Sequence, residues 1–97
     1  MSVRHLVIRG IVQGVGYRAW AEDEALRREL EGWVRNRRDG TVEAVFSGPD
    51  QEVEAIILAC RQGPRGARVD AVVITEGGGD LVRLRRRGER FSVLSTA

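Results

Sequence analysis

Apolar residues recur at strand spacing over five stretches of the chain and at helix spacing over two. Val3–Ile8 reads as a strand, with Leu6 and Ile8 on one face and His5 and Val7 on the other. A helix is predicted at about Ala19–Arg28, where Ala21/Ala25 and Leu26/Leu30 stand four apart. Trp33–Asn36 is a short strand, and Asp39-Gly40 marks a hairpin turn into Thr41–Ser47. That return strand alternates, with Val42, Ala44 and Phe46 on one side. Gly48-Pro49-Asp50 opens a second helix: proline tolerates the first helical position, and Asp50 and Glu52 suit the positive helix end. Its apolar stripe is Val53, Ile56, Ile57 and Cys60, and Gln62-Gly63-Pro64 ends it. Val69–Ile74 is an apolar strand, a polar Gly- and Arg-rich stretch follows, and Phe91–Leu94 closes the series.

The order is β-α-β-β-α-β plus a terminal strand, the split β-α-β pattern of a ferredoxin-like α+β sandwich. It predicts a mostly antiparallel sheet with two helices packed on one face. In this topology the end of the second strand lies near the loop that precedes the first helix.

Composition narrows the class. A chain of 97 residues predicts one domain, residues 1–97, and 42% hydrophobic with 31% charged residues is a folded rather than a disordered balance. No apolar run approaches the roughly 20 residues that cross a bilayer, and the chain enters strand-like sequence with no apolar leader. Cys60 is the only cysteine, so no internal disulfide forms and a cytoplasmic location is expected. All 16 basic residues are arginine, which reads as compositional bias, and the net charge is only +2. So small an excess does not suit a protein that neutralises many phosphates along a nucleic acid.

The chemistry concentrates in Gly10-Ile11-Val12-Gln13-Gly14-Val15-Gly16-Tyr17-Arg18, between the first strand and the first helix. Glycines allow a backbone with φ > 0 and leave room for N–H groups to turn inward. Successive N–H groups at a helix start form a concave anion site, and Arg18 adds a permanent charge with a planar fork of donors. A cation at the positive end of a helix makes sense when an anion lies between them. The predicted phosphate-binding residues are Gln13, Gly14, Val15, Gly16, Tyr17 and Arg18. Asn36, at the end of the second strand, can face the same cradle with an amide donor and a carbonyl acceptor.

These residues resemble the acylphosphatase signature Gly-x-Val-Gln-Gly-Val-x-Phe-Arg. Gly32-Trp33-Val34-Arg35-Asn36 with Gly40-Thr41-Val42 resembles that family's second signature, and the likeness runs from about Val3 to Val93. The resemblance implies the same sandwich and hydrolysis of acyl phosphates to a carboxylate and inorganic phosphate. It further implies a small-molecule substrate, Arg18 and Asn36 as catalytic residues, Arg18 on the phosphoryl group and Asn36 orienting water, and no cofactor. Two departures stand out: Tyr17 where Phe or Met is usual, so its hydroxyl needs a partner, and Glu29 where many members have a helix-ending Gly.

Other readings carry less. Gly14-Val15-Gly16-Tyr17-Arg18-Ala19 fits a dinucleotide fingerprint, but a hairpin follows the first crossover and Asn36 replaces the required acid. An RNA-binding or partner-binding module of this fold is the alternative function, through the Arg-rich run at Arg83, Arg85, Arg86, Arg87 and Arg90. It lacks the aromatic platform such modules use, so no nucleic-acid partner is expected. His5 is a lone strand histidine with no assigned role, and no cluster has metal-ligand spacing. A monomer that binds neither membrane nor metal is the expectation.

Overall fold

The computed structural model describes residues 1–97 as β1 (Ser2–Ile11), α1 (Tyr17–Arg27), β2 (Glu31–Asn36), β3 (Val42–Gly48), α2 (Asp50–Cys60), β4 (Arg68–Glu76), α3 (Gly79–Val82) and β5 (Phe91–Val93). The sheet order is β4-β1-β3-β2-β5. Only β2 and β5 pair in parallel; the other neighbours are antiparallel. This is the expected ferredoxin-like α+β sandwich, with β3 inserted between the parallel strands β1 and β2. Both of those strands therefore finish at the same edge of the sheet. Val42 pairs with Ile8 on one side and with Asn36 on the other, which sets Asn36 level with the end of β1.

The main core lies between the sheet and helices α1 and α2. Leu6, Ile8, Val34, Ala44 and Phe46 meet Ala21 and Ala25 of α1 and Val53, Ile56 and Cys60 of α2. Each fully buried Leu, Ile or Phe contributes about 1.5–3 kcal/mol relative to exposure.

The two expected helices share one face, and the second face of the sheet carries an element the sequence did not mark. All seven residues of β3 are buried, so its alternation is not one of core against solvent. The Gly- and Arg-rich stretch contains α3, which lays Leu81 and Val82 on Trp33 and Val45. The Trp33 indole Nε1 donates to the Leu81 carbonyl at 2.7 Å, so the largest side chain on this face is satisfied as well as buried. Beside it Glu43 is buried among His5 Nε2 at 2.7 Å, Arg35 Nε at 2.7 Å and Arg37 Nε at 3.8 Å. Burial pushes its carboxyl pKa up, but hydrogen bonds from His5 and Arg35 and the charges of Arg35 and Arg37 outweigh this and hold it below 4.5.

Element ends also differ from the sequence reading. Helix α1 starts at Tyr17, so Tyr17 and Arg18 belong to its first turn, and it stops at Arg27, which leaves Leu26 45% exposed. Glu29 takes the left-handed conformation that a glycine usually supplies there, with φ 58°. The Leu30 N–H donates to the Ala25 carbonyl and the Glu29 N–H to the Leu26 carbonyl, which completes a Schellman cap. Burial of Leu30 against the core pulls the chain out of the helix despite the strain. Pro49 stands just before α2, at its N-cap with ψ 140°, rather than at its first turn.

Candidate active site

The segment from Val12 to Gly16 turns sharply between β1 and α1. Gly14 and Gly16 have φ of 75° and 80°, and a Cβ on either would meet nothing within 4 Å. The backbone conformation, and not crowding, therefore calls for glycine at both positions. Gly16 is the N-cap of α1 and offers no side chain to cap it. The first backbone bond of the helix runs from the Trp20 N–H to the Gly16 carbonyl at 3.0 Å. N–H groups from Gly14 to Ala19 donate to no carbonyl or side chain of the protein. They form a run of unpartnered donors at the positive end of a helix.

Two side chains, Gln13 and Tyr17, hold this run in place. Gln13, expected among the phosphate-binding residues, turns its amide away: Nε2 donates to the Arg37 carbonyl at 2.7 Å and the Thr41 carbonyl at 2.9 Å. Its side chain ties the loop to the β2–β3 hairpin, and only its main chain is left for the cradle. Tyr17 is buried, and its hydroxyl finds the partner it needs in the Cys60 carbonyl at the end of α2, at 2.7 Å. Burial, followed by the adjacent Cys60, raises the phenol pKa well beyond its usual range. The Cys60 thiol is likewise pushed up, to about 12, chiefly by burial, so it behaves as a core group and not as a nucleophile. Tyr17 also packs edge to face on Trp20, with ring centroids 5.3 Å apart.

Arg18 and Asn36 line one cavity of about 330 Å³ with Gly14 and Gly16. Arg18 has no ion-pair partner within the protein. Asn36 Oδ1 is buried and has no hydrogen-bond partner. The cavity thus brings the glycine loop and Arg18 beside Asn36, whose buried oxygen has no donor. Val15 is outside its lining and packs against the core. Besides Val12 and Ala19, which flank the predicted loop, two lining residues were not anticipated. Glu22, one turn after Arg18, places a carboxylate that disfavours an anion against that part of the wall, and Val93 of β5 supplies an apolar side. The i, i+4 spacing of Arg18 and Glu22 was the signal for the first; nothing local marked the second. No group of three or more His, Cys, Asp or Glu residues could hold a metal ion.

A sequence model of the family described as acylphosphatase matches residues 4–85. The chain belongs to the acylphosphatase family. It is 54% identical over 95 residues to an acylphosphatase of Rhodopseudomonas palustris strain BisB5, an alignment that covers 98% of this chain and 96% of that one. The acylphosphatase of Bradyrhizobium diazoefficiens matches with the same identity and coverage. Among solved structures, acylphosphatase from Bacillus subtilis superposes with a TM-score of 0.84 at 34% identity, over 97% of this chain and 99% of that one. For an acylphosphatase, the departures at Tyr17 and Glu29 both have structural solutions, the Cys60 carbonyl and the Schellman cap, and neither alters the wall of donors.

Proposed function

We propose that the Gly14–Ala19 donors, Arg18 and Asn36 are the machinery with which this acylphosphatase hydrolyses acyl phosphates. The observation that carries the reading is a single cavity lined by two different walls: the glycine loop and helix start, whose N–H groups have no acceptor, and the end of β2, where Asn36 has a buried Oδ1 without a donor. A phosphoryl group answers the first wall, and its oxygens accept from the main-chain N–H groups while Arg18 neutralises charge. A water answers the second, donating one hydrogen to Asn36 Oδ1 so that its lone pair faces phosphorus.

The water oxygen bonds to phosphorus as the phosphorus–oxygen bond to the acyl group breaks. The bonding pair leaves with the carboxylate, and the water proton passes to a phosphoryl oxygen. Carboxylate is a good leaving group, so positioning and preorganised donors carry the reaction without a covalent intermediate. The inferred setting is a cytoplasmic monomer acting on a soluble small molecule; no helix is long and apolar enough to cross a membrane. RNA recognition is not favoured, because Phe46 and Phe91 stack on each other inside the core and Trp33 is covered by α3.

The test is a pair of variants assayed on a model acyl phosphate. Arg18→Ala is expected to weaken phosphate binding and turnover together. Asn36→Ala is expected to keep phosphate affinity within a few-fold while kcat falls by about 10² or more. Near-normal kcat in Asn36→Ala would remove the water from that residue's charge.

A further inference from the structure

At the end of β2 opposite Asn36 lies a second cavity, of about 580 Å³, with no apolar residue in its lining. Five residue steps, from Glu31 to Asn36, separate the two ends, about 16 Å at roughly 3.3 Å per residue. Glu31 and Glu89 are outnumbered there by Arg83, Arg85, Arg86, Arg87 and Arg90. Those five are nearly a third of the chain's 16 basic residues, in a protein whose net charge is only +2. Gathering them costs mutual repulsion that a bound anion would remove.

The segment that carries them is built, not loose. The Arg86 N–H donates to Ser92 Oγ at 2.8 Å, and the fully buried Ser92 hydroxyl donates to Glu89 Oε1 at 2.6 Å. Arg85 Nη1 donates to the Arg90 carbonyl at 3.2 Å and pairs with Glu31 at 3.2 Å. Arg90 Nη1 donates to the Glu29 carbonyl at 3.0 Å. Arg85 and Arg90 are thereby struts, while Arg83, Arg86 and Arg87 are exposed and their guanidiniums have no partner.

We propose that this cavity binds a compact polyphosphate anion, a small molecule with two or more linked phosphates. Guanidinium forks match phosphate oxygens in pairs, and three free forks beside two fixed ones suit a chain of phosphates better than a single ion. The wall offers no aromatic on which a nucleobase could stack and no apolar pocket for the anchor of a peptide. Phosphate is the chemistry it can read.

Inorganic tripolyphosphate, titrated into isotope-labelled protein at about 150 mM salt with inorganic phosphate saturating the first cavity, is the probe. Amide shifts are expected at Glu31 and Arg83–Arg90. The double variant Arg83→Ala, Arg87→Ala is expected to weaken binding by about tenfold or more, with acyl phosphate turnover unchanged. Shifts confined to the Gln13–Arg18 loop, unchanged affinity in the double variant, or an RNA oligonucleotide that outcompetes tripolyphosphate would each overturn the assignment.

Discussion

Gln13 is the one side chain that joins the cradle to the hairpin carrying Asn36, and its removal can be worked through from two distances. Gln13→Leu keeps the bulk and deletes both Nε2 donors, at 2.7 Å to the Arg37 carbonyl and 2.9 Å to the Thr41 carbonyl. Neither carbonyl is orphaned: Gly40 N–H still donates to Arg37 and Arg37 N–H to Thr41. The loss is therefore that of two ordinary hydrogen bonds, about 1–3 kcal/mol in all, without a desolvation penalty. For a domain of this size each kcal/mol lowers the melting temperature by about 4–8 °C, which predicts a fall near 8–16 °C at the midpoint. Gln13→Glu goes further at neutral pH, because a carboxylate then faces two carbonyl oxygens. Acid restores part of that loss, since a protonated carboxyl donates one bond. Thermal unfolding followed by circular dichroism should rank the parent above Leu and Leu above Glu. A Gln13→Leu protein that melts within about 3 °C of the parent would refute the bridge as a stabilising contact.

Glu29→Gly relieves a left-handed residue whose side chain makes no ion pair, and should raise stability by about 1 kcal/mol, whereas Glu29→Ala should gain nothing. Equal gains from both in urea titrations would show that strain is not the cause. Glu43 has its folded-state pKa held below 4.5, so its contribution is present above that value and lost as pH falls through the lower folded one. Glu43→Gln should therefore flatten the acid limb of the melting profile below about pH 4.5, and an unchanged limb would place the titration elsewhere.

Much of the candidate site could be read from the chain because its donors are main-chain atoms. Glycine spacing, a strand before and a helix after fix them, and the split topology brings Asn36 alongside. The Gln13 amide could not be read, because its partners are carbonyls 24 and 28 residues away that side-chain patterns do not reveal. Helix α3 was hidden for a different reason: two apolar residues among glycines and arginines carry no periodicity, and only Trp33 and Val45 beneath them give them something to cover. His5 reads as a lone strand histidine with no role, whereas its Nε2 lies 2.7 Å from Glu43 Oε2 across the β1–β3 pair.

Because the cradle's donors are backbone N–H groups, they are shielded from drift in a way that side-chain donors are not. Exchanging Val15 or Ala19 for another residue deletes no N–H; only proline would do that, and only a residue that refuses φ near 80° at Gly14 or Gly16 would misdirect the rest. A lineage carrying this loop can therefore alter much of its lettering while the run of N–H donors stays chemically constant. On the proposed reading its vulnerability is gathered into two glycines and the side chains of Gln13, Arg18 and Asn36.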